Sequence, residues 1–413
     1  MRGRPFLGPL SLAAFAVIYS GAVLAPLVAQ IAADFAISPG SVGIAAAAYG
    51  LPGIVVGAVA GPHADRHGRK RFLLVGCLVT GGFTLAASAA PTYAALVALR
   101  ALAGLGAALI LPNMMAAVAD RYAYRERGRP VAIVFAANTL GVIAGTTVAG
   151  IVAERIGWRG SLAFAGGISL ASAVALIPVA LPTATRAASA GVLGFYRAVL
   201  GDRSALAILG SNLLGVAAWI TWGTYIVAFF QVTYGVALGA ASAYAVVQGL
   251  GMLVGSQIGG RVGDRLGQKL VLAGALTCYG AFVAVVTAAR LPIEAAVALS
   301  FAGAVFFGMR ATSNAALMTE QVVSARATVL ALSAATVSAG TVLGTSVGGA
   351  LLDGRGFAAL GLFCFGAAGA SAAIVAALVR EGEQPPVGVA AATSGRNDLR
   401  FRSAAAQESA PPR

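Results

Sequence analysis

The sequence predicts an all-α membrane protein with twelve transmembrane helices, arranged as two homologous six-helix halves. The 413 residues are 59% hydrophobic and only 10% charged, with a mean hydropathy of +0.87, whereas a soluble domain carries about 25% charged residues. A second observation is a residue pattern that recurs 199 positions later in the chain. So much apolar surface requires the hydrocarbon of a bilayer as its solvent.

Twelve apolar runs are long enough to be membrane spans, because a helix needs about 20 apolar residues to cross the hydrocarbon core. The predicted spans are 8–31, 41–62, 72–90, 93–117, 131–152, 161–181, 205–230, 240–260, 270–289, 295–317, 329–351 and 357–379. An even number of spans places both termini on the same side of the membrane.

The distribution of Lys and Arg identifies that side. The N-terminus, the tail and every second loop together hold 22 of the 28 basic residues. The opposite loops hold Arg155, Arg159, Arg290 and Arg355. Because basic residues accumulate on the cytoplasmic side, we expect a multi-pass protein of the cell (inner) membrane with both termini in the cytoplasm.

Loop length and composition predict the division of the chain. The longest interior loop follows the sixth span, so we expect an N-terminal six-helix half at 1–181, a cytoplasmic loop at 182–204 and a C-terminal half at 205–380. The polar, Pro- and Ala-rich tail at 381–413 has the composition of a disordered segment. The net charge of +14 is scattered over many loops and forms no stripe, which argues against a nucleic-acid partner.

The repeat is clearest in two charged decapeptides, GPHADRHGRK at 61–70 and GRVGDRLGQK at 260–269. The same offset of 199 relates GTTVAGIVAERIG at 145–157 to GTSVGGALLDGRG at 344–356. Two blocks with one offset indicate that the halves are homologous and parallel in orientation, as in many transporters.

These motifs resemble those of the major facilitator superfamily over residues 1 to 380. The loop signature matches at Gly61, Asp65, Arg66, Gly68, Arg69 and Lys70, and its second copy at Gly260, Asp264, Arg265, Gly267 and Lys269. The fourth span resembles a second family motif at Arg100, Gly104 and Gly106, although Ala103 stands where the family often has Gln. The resemblance is strongest to the twelve-span drug–proton antiporters and metabolite exporters.

The resemblance implies that the charged loops act as a conformational latch. In the family, the loop Asp faces the N-terminus of a helix of the other half, where the helix dipole favours a carboxylate. By resemblance, Asp65 would contact the helix that begins near Thr328, and Asp264 the helix that begins at Pro130. We expect these contacts to bias the conformational equilibrium without binding substrate.

Two ionisable residues lie inside predicted spans, Arg100 and Arg310, whereas all 14 carboxylates lie in loops, in the tail or at span ends. Arg100, Gly104, Gly145 and Gly150 are candidates for gating or coupling. Proton coupling stays open, because the family's fifth-span antiporter motif lacks its Pro and one Gly here and no carboxylate lies mid-membrane. A membrane-embedded charge is a functional candidate by default.

Arg310 is either a counter-charge for an anionic substrate or an Arg satisfied by carbonyls, water or Asn314. On the seventh span, Trp222, Tyr225 and Phe229 share one helical face, which would line a substrate cavity or, alternatively, pack in the core. The further substrate-binding candidates are the polar residues Asn138, Asn113 and Tyr49.

The resemblance implies a secondary active transporter that moves a small organic solute by alternating access, as a monomer and without a cofactor. We expect efflux of drug-like or metabolite compounds. An organic-anion carrier that uses Arg310 is the alternative, and a transporter-like membrane sensor is a third reading from another class. We expect no enzyme and no metal site, because the only histidines, His63 and His67, lie in the charged loop and no catalytic motif is present.

Overall fold

The computed structural model describes residues 6–56, 64, 68–122, 128–181, 197, 199–321 and 326–381. Residues up to Val379 form one compact unit. The tail beyond residue 381 and most of the loop predicted at 182–204 lie outside the described residues.

The described chain is helical. The helices are α1 (Leu7–Ala22), α2 (Val28–Asp34), α3 (Gly43–Gly50), α4 (Arg69–Ser88), α5 (Tyr93–Arg121), α6 (Gly128–Leu176), α7 (Arg203–Tyr234), α8 (Leu238–Leu266), α9 (Gln268–Ala288), α10 (Ile293–Gln321) and α11 (Arg326–Leu378). Two 3₁₀ turns, Ala25–Leu27 and Gly40–Val42, precede α2 and α3.

Within the described ranges, nine helical segments are long and apolar enough to cross a membrane, and a shorter apolar helix covers Gly40–Val56. The prediction of an all-helical membrane protein is therefore confirmed. α6 runs through the predicted spans 131–152 and 161–181 as far as Leu176, and α11 runs through the predicted spans 329–351 and 357–379 as far as Leu378. In each helix the backbone breaks between the two spans, where the sequence predicted a loop. Only Gly157 (φ 75°) and Gly356 (φ 77°) interrupt these two helices, since glycine adopts a positive φ without steric cost and can break a helix in one residue.

The sequence repeat is also a repeat of backbone conformation. The described residues with positive φ form three pairs that are each 199 positions apart. These pairs are Ala36 with Gly235, Gly68 with Gly267, and Gly157 with Gly356. Turns of the same kind therefore recur at equivalent places, even where the residue is not glycine.

Helix packing follows the same repeat. α1 packs on α6 as α7 packs on α11, and α4 packs on α5 as α9 packs on α10. Two further contacts join the halves: α3 packs on α11, and α8 packs on α6. These two contacts are equivalent under the repeat, so each half uses the same surfaces to meet the other.

The buried core consists of three clusters. One contains residues of both halves, including Leu27, Trp158, Tyr225 and Phe307. It lies toward the helix ends that face away from the basic loops, which we call the outer ends. The other two clusters lie toward the opposite, inner ends, and each is confined to one half. The halves thus share a packed core at the outer side.

Neighbouring glycines on α4 provide a test of this packing. A β-carbon on Gly81 would lie 2.8 Å from Leu170 Cγ and 2.9 Å from the Leu170 nitrogen, whereas one on Gly82 would meet nothing within 4 Å. We expect Gly81→Ala to lower the free energy of unfolding by about 1–3 kcal/mol through overpacking against α6. Gly82→Ala should be neutral or stabilise by up to about 1 kcal/mol. Thermal melting of the two variants in detergent tests this, and equal melting temperatures would contradict it.

Candidate functional site

Arg310 is the best-defined buried charge in the C-terminal half. Its side chain on α10 is 4% exposed. Its Nη2 donates to Asn212 Oδ1 at 2.6 Å and to the Asn212 carbonyl at 3.3 Å. Nε is buried without an acceptor among the described residues. A guanidinium carries five N–H donors. Of its nitrogens, only Nη2 donates to Asn212, so the others can still donate to a ligand.

Asn212 connects three helices at this point. Its Oδ1 also accepts from Asn314 Nδ2 at 3.1 Å, and its Nδ2 donates to Thr336 Oγ1 at 2.8 Å. The oxygen Oδ1 of Asn314 is buried without a partner in the described part of the chain. α7, α10 and α11 therefore converge on a polar cluster that has unused hydrogen-bonding groups.

An aromatic wall stands beside this cluster. The guanidinium carbon of Arg310 lies 5.0 Å from the ring centre of Phe307, in a cation–π arrangement. Phe307 stacks on Trp219 with ring centres 4.1 Å apart and an interplanar angle of 9°. Gly215 leaves space for the guanidinium, because a β-carbon there would lie 3.1 Å from Arg310 Nε. Charge and flat apolar surface are thus adjacent.

Arg100 on α5 is the buried charge of the N-terminal half and is fully buried. Its Nη2 donates to the Ser20 carbonyl at 3.0 Å, and its guanidinium carbon lies 4.2 Å from the ring centre of Tyr49. Its Nε and Nη1 have no acceptor among the described residues. Gly104 permits this arrangement, because a β-carbon there would overlap the Tyr49 carbonyl.

Neither buried arginine has a carboxylate partner in the described ranges. The ion pairs that the structure does show there join Arg69 Nε to Asp120 Oδ2 at 2.8 Å, and Arg159 to Asp34. All four of those residues lie at helix ends, near the membrane surfaces. The bundle interior therefore holds positive charge that the described side chains do not neutralise.

The aromatic candidates of the seventh span lie in the shared outer core. Trp222, Tyr225 and Phe229 are at most 2% exposed. The Tyr225 hydroxyl lies 3.1 Å from both the Gly40 and the Thr345 carbonyl oxygens, so it ties α7 to the start of the second span and to α11. In this conformation their surroundings are those of packing residues.

The two remaining asparagine candidates have no contact with the Arg310 cluster in the described structure. Asn113 is 3% exposed, and its Nδ2 donates to the Leu109 carbonyl of its own helix at 2.7 Å. Asn138 is half-buried, with a buried Oδ1 that lacks a partner in the described part of the chain. Gly145 lies against α1, where a β-carbon would approach Ala22 Cβ to 2.7 Å.

Two carboxylates at the outer ends, Asp353 and Glu154, lie against the opposite half. Asp353 on α11 accepts from the Gly40 nitrogen at 2.7 Å and from Ser38 Oγ at 2.6 Å. On α6, Glu154 lies against Gly239, where a β-carbon would overlap its carboxylate. Gly150 marks the same α6–α8 contact, because a β-carbon there would overlap Ser242 Oγ.

The inner charged loops are described only in part. Gly61, Asp65 and Arg66 lie outside the described residues. In the first loop, Lys70 Nζ donates to the Ile177 carbonyl at 2.6 Å. Gly68 and Gly267 have φ values of 91° and 90°, so each loop turns at a glycine directly before a helix.

The second charged loop is described at all of its motif residues. Gly260, Asp264 and Arg265 lie in the last turns of α8, and Lys269 lies at the start of α9. Asp264 is exposed and accepts from Gln268 Nε2 at 3.3 Å. In this conformation no hydrogen bond joins Asp264 to the helix at Pro130 among the described residues, and the contact stays a prediction for the opposite conformation. In this conformation the halves share a packed core at their outer ends, whereas each of the two inner core clusters is confined to one half.

Four members of the Arg310 site were not among the predicted site residues: Asn212, Trp219, Phe307 and Thr336. Their proximity to Arg310 arises only when α7, α10 and α11 pack together. A helical-face pattern identifies a side of one helix, but it does not identify the residue that this side meets.

Fold and site together define a multi-pass helical membrane protein with an internally repeated bundle and buried positive charges. Residues 10–253 and 207–407 match the family model described as Major Facilitator Superfamily. The chain therefore belongs to this superfamily, which is a family of transporters and not of enzymes.

Two curated relatives are similar to parts of the chain. The 4-hydroxybenzoate transporter PcaK of Acinetobacter baylyi is 33% identical over 165 residues, which cover 40% of this chain and 35% of that protein. Multidrug resistance protein 2 of Bacillus subtilis is 31% identical over 138 residues, which cover 33% of this chain and 34% of that protein. The chain thus spans about a third of the length of these curated relatives.

A solved structure shows the same fold. The structure of a D-xylose–proton symporter superposes with a TM-score of 0.73, covering 91% of this chain and 97% of the other at 15% identity. This likeness establishes the major facilitator fold.

The surroundings of Arg100 lead to a prediction for Tyr49. The Tyr49 hydroxyl donates to the Val17 carbonyl at 3.0 Å, and its ring faces the guanidinium. Tyr49→Phe removes only the hydrogen bond and should lower the free energy of unfolding by about 1 kcal/mol. Tyr49→Leu also removes the desolvated cation–π contact, which should cost about 2 kcal/mol more. Denaturation of both variants measures the difference, and equal losses would show that the ring does not stabilise Arg100.

Proposed function

We propose that this protein is a secondary transporter that moves small aromatic carboxylates through the membrane by alternating access. The proposed architecture has twelve spans, because α6 and α11 each supply two and Gly40–Val56 begins another. The halves are residues 1–181 and 205–380, joined by the loop at 182–204. The three repeated positive-φ positions and the repeated helix contacts support this division.

One observation carries the choice of substrate charge: Arg310 is 96% buried and has no carboxylate partner in the described residues. Burying an unpaired charge is costly, so a site of this kind favours a ligand that brings a negative charge. A carboxylate is also the natural bidentate partner of a guanidinium. An anionic substrate would supply the group that the protein itself lacks there.

Two further observations favour an aromatic body for that anion. Trp219 is half-buried, and its stacked partner Phe307 lies directly beside the guanidinium. A ring held near this wall would gain both apolar burial and aromatic contact. The similarity to a 4-hydroxybenzoate transporter supports the same substrate class.

Efflux of drug-like or metabolite compounds is the second candidate function. The similarity to Multidrug resistance protein 2 and the exporter-like motifs favour it. Proton coupling belongs to this proposal as well, with Arg100, Gly104, Gly145 and Gly150 as its gating candidates. The inner loops from Gly61 to Lys70 and from Gly260 to Lys269 remain the proposed latch of the opposite conformation.

Proteoliposomes test the substrate proposal. Uptake of radiolabelled benzoate and 4-hydroxybenzoate is compared for the wild type, Arg310→Lys and Arg310→Gln. We expect the wild type to move both acids, Arg310→Gln to lose at least 100-fold in kcat/KM, and Arg310→Lys to keep part of the activity, because a point charge replaces a bidentate fork. A hydrogen bond to a charged group contributes up to about 3 kcal/mol. Losing that contribution corresponds to a decrease of about 100-fold in kcat/KM.

The uncharged amide of the same ring, benzamide, is the control. If the wild type moves benzamide and benzoate equally well, or if Arg310→Gln leaves benzoate uptake intact, the carboxylate proposal fails. Accumulation of a lipophilic cation within inside-out vesicles, unaffected by Arg310→Gln, would support the efflux candidate in its place.

A further inference from the structure

We propose that Asn212 is a positioning residue that keeps Arg310 uncompensated and so restricts the site to anions. This inference rests on the proposed function. Asn212 offers the guanidinium two neutral oxygens, its side-chain Oδ1 at 2.6 Å and its backbone carbonyl at 3.3 Å from Nη2. Neutral acceptors orient the group but leave its full positive charge to attract a ligand.

The network around Asn212 holds it in this role. Its Nδ2 donates to Thr336 Oγ1 at 2.8 Å, so the amide cannot rotate to present its nitrogen to Arg310 without losing that bond. Asn314 Nδ2 donates to the same Oδ1 at 3.1 Å. Two donors approach the amide oxygen, and the amide nitrogen donates to Thr336 Oγ1 and, at 3.4–3.5 Å, to Ser333. These bonds define which end of the amide faces the guanidinium.

Asn212→Asp is the informative change, because it alters charge while nearly preserving shape. The new carboxylate would lie at hydrogen-bond distance from Arg310 and form an internal ion pair that competes with the substrate carboxylate. We expect the KM for benzoate to rise at least tenfold. The preference for benzoate over benzamide should shrink by a similar factor, because the internal pair neutralises the site.

Thermal melting provides a readout that does not depend on transport. In the wild-type background, Asn212→Asp should be tolerated, because Arg310 pairs with the new charge. In an Arg310→Gln background, the same change buries an unpaired carboxylate and should lower the melting temperature strongly. The difference between the two backgrounds is the coupling between the two residues.

The outcomes separate the two proposals. Strong coupling with a raised KM for benzoate supports the role of Asn212. Equal effects of Asn212→Asp in both backgrounds, or an unchanged KM in a variant that folds, would overturn it. Strong coupling in a protein whose wild type moves no carboxylate would refute the proposed substrate class and still support the positioning of Arg310 by Asn212.

A second and independent inference concerns the outer ends of the helices. We infer that Asp353 and Glu154 form a repeated pair of helix caps that stabilise the outward-closed conformation. The two carboxylates are 199 positions apart, and so are their partners Gly40 and Gly239. Each carboxylate thus lies at the repeat-equivalent helix start of the opposite half.

Both contacts place a carboxylate at the start of a helix. Gly40 begins the 3₁₀ turn that leads into α3, and Gly239 is the second residue of α8. The first N–H groups of a helix lack internal partners and carry partial positive charge, so they favour a carboxylate. Asp353 accepts one hydrogen bond from the Gly40 N–H and a second from the Ser38 hydroxyl, while Glu154 lies against Gly239.

These caps use the same helix pairs as the inner charged loops but their opposite ends. Asp353 lies in α11 just before the break at Gly356, and it faces the start of the second span. Glu154 lies in α6 just before the break at Gly157, and it faces the start of α8. The inner Asp65 and Asp264 follow the second span and α8 and would face the starts of α11 and α6. Asp264 is exposed here while Asp353 is bonded, so the inference assigns the outer contacts to this conformation and the inner contacts to the opposite one.

Spin-label distances test the outer caps in full-length protein in lipid nanodiscs without substrate. The native Cys77, Cys278 and Cys364 are first replaced by residues that cannot be labelled. Spin labels are then attached to cysteines introduced at the exposed residues Ala89 and Ala288, at the outer ends of α4 and α9. We expect Asp353→Asn to lower the outward-closed population several-fold, and Glu154→Gln combined with it to lower that population further. Ser38→Ala removes one hydrogen bond and should give a smaller shift in the same direction.

Glu294→Gln is the matched control, since Glu294 is an exposed outer carboxylate that lines a pocket with residues of its own half. It should leave the distances unchanged. If the double variant and this control give the same distance distribution as the wild type, the caps do not stabilise the closed state. Should Asp353→Asn fail to fold, the Ser38→Ala shift decides the question alone.

Discussion

Close approach of helix backbones is the constraint on which this structure depends. Lipid tails are as apolar as leucine, so helices in a bilayer associate through packing at small residues and not through the hydrophobic effect. Gly40 and Gly349 meet so closely that a β-carbon on either would overlap the carbonyl of the other. A β-carbon on Gly255 would likewise overlap the Val305 carbonyl. Such contacts bring polar groups on different helices within reach of each other.

The polar groups then divide by depth. Carboxylates lie at helix ends, where helix N-termini, water and basic residues stabilise them, as Asp353 and Asp34 show. The two buried arginines lie inside the bundle with carbonyl, amide and aromatic neighbours, among them Asn212 and Tyr49. A transporter for anions benefits from this division, because the interior attracts negative charge while the protein's own carboxylates act at its surfaces.

The internal repeat gives the two conformations related sets of contacts. Equivalent helix pairs, α3 with α11 and α8 with α6, join the halves. Each pair has a carboxylate near its outer end in this structure and a charged loop at its inner end. The shared outer core, rich in aromatic residues such as Tyr225, closes the outer side in the conformation described here. Rocking about these pairs would exchange one set of contacts for the other.

The sequence by itself determined the class of the protein, because hydropathy and the positive-inside rule depend only on composition and order along the chain. It also identified the offset of 199 and both buried arginines, since a charge in an apolar run is visible without a structure. The loops predicted after residues 152 and 351 contain Gly157 and Gly356, where the helices break. The structure was needed to show that a single glycine makes each break, because glycine is also compatible with a continuous helix. Only the tertiary structure decided that Arg310 meets Asn212, Phe307 and, through Phe307, Trp219, since these neighbours lie on different helices or turns and their contact depends on helix packing. The same holds for Asp353, whose partner Gly40 lies in the opposite half.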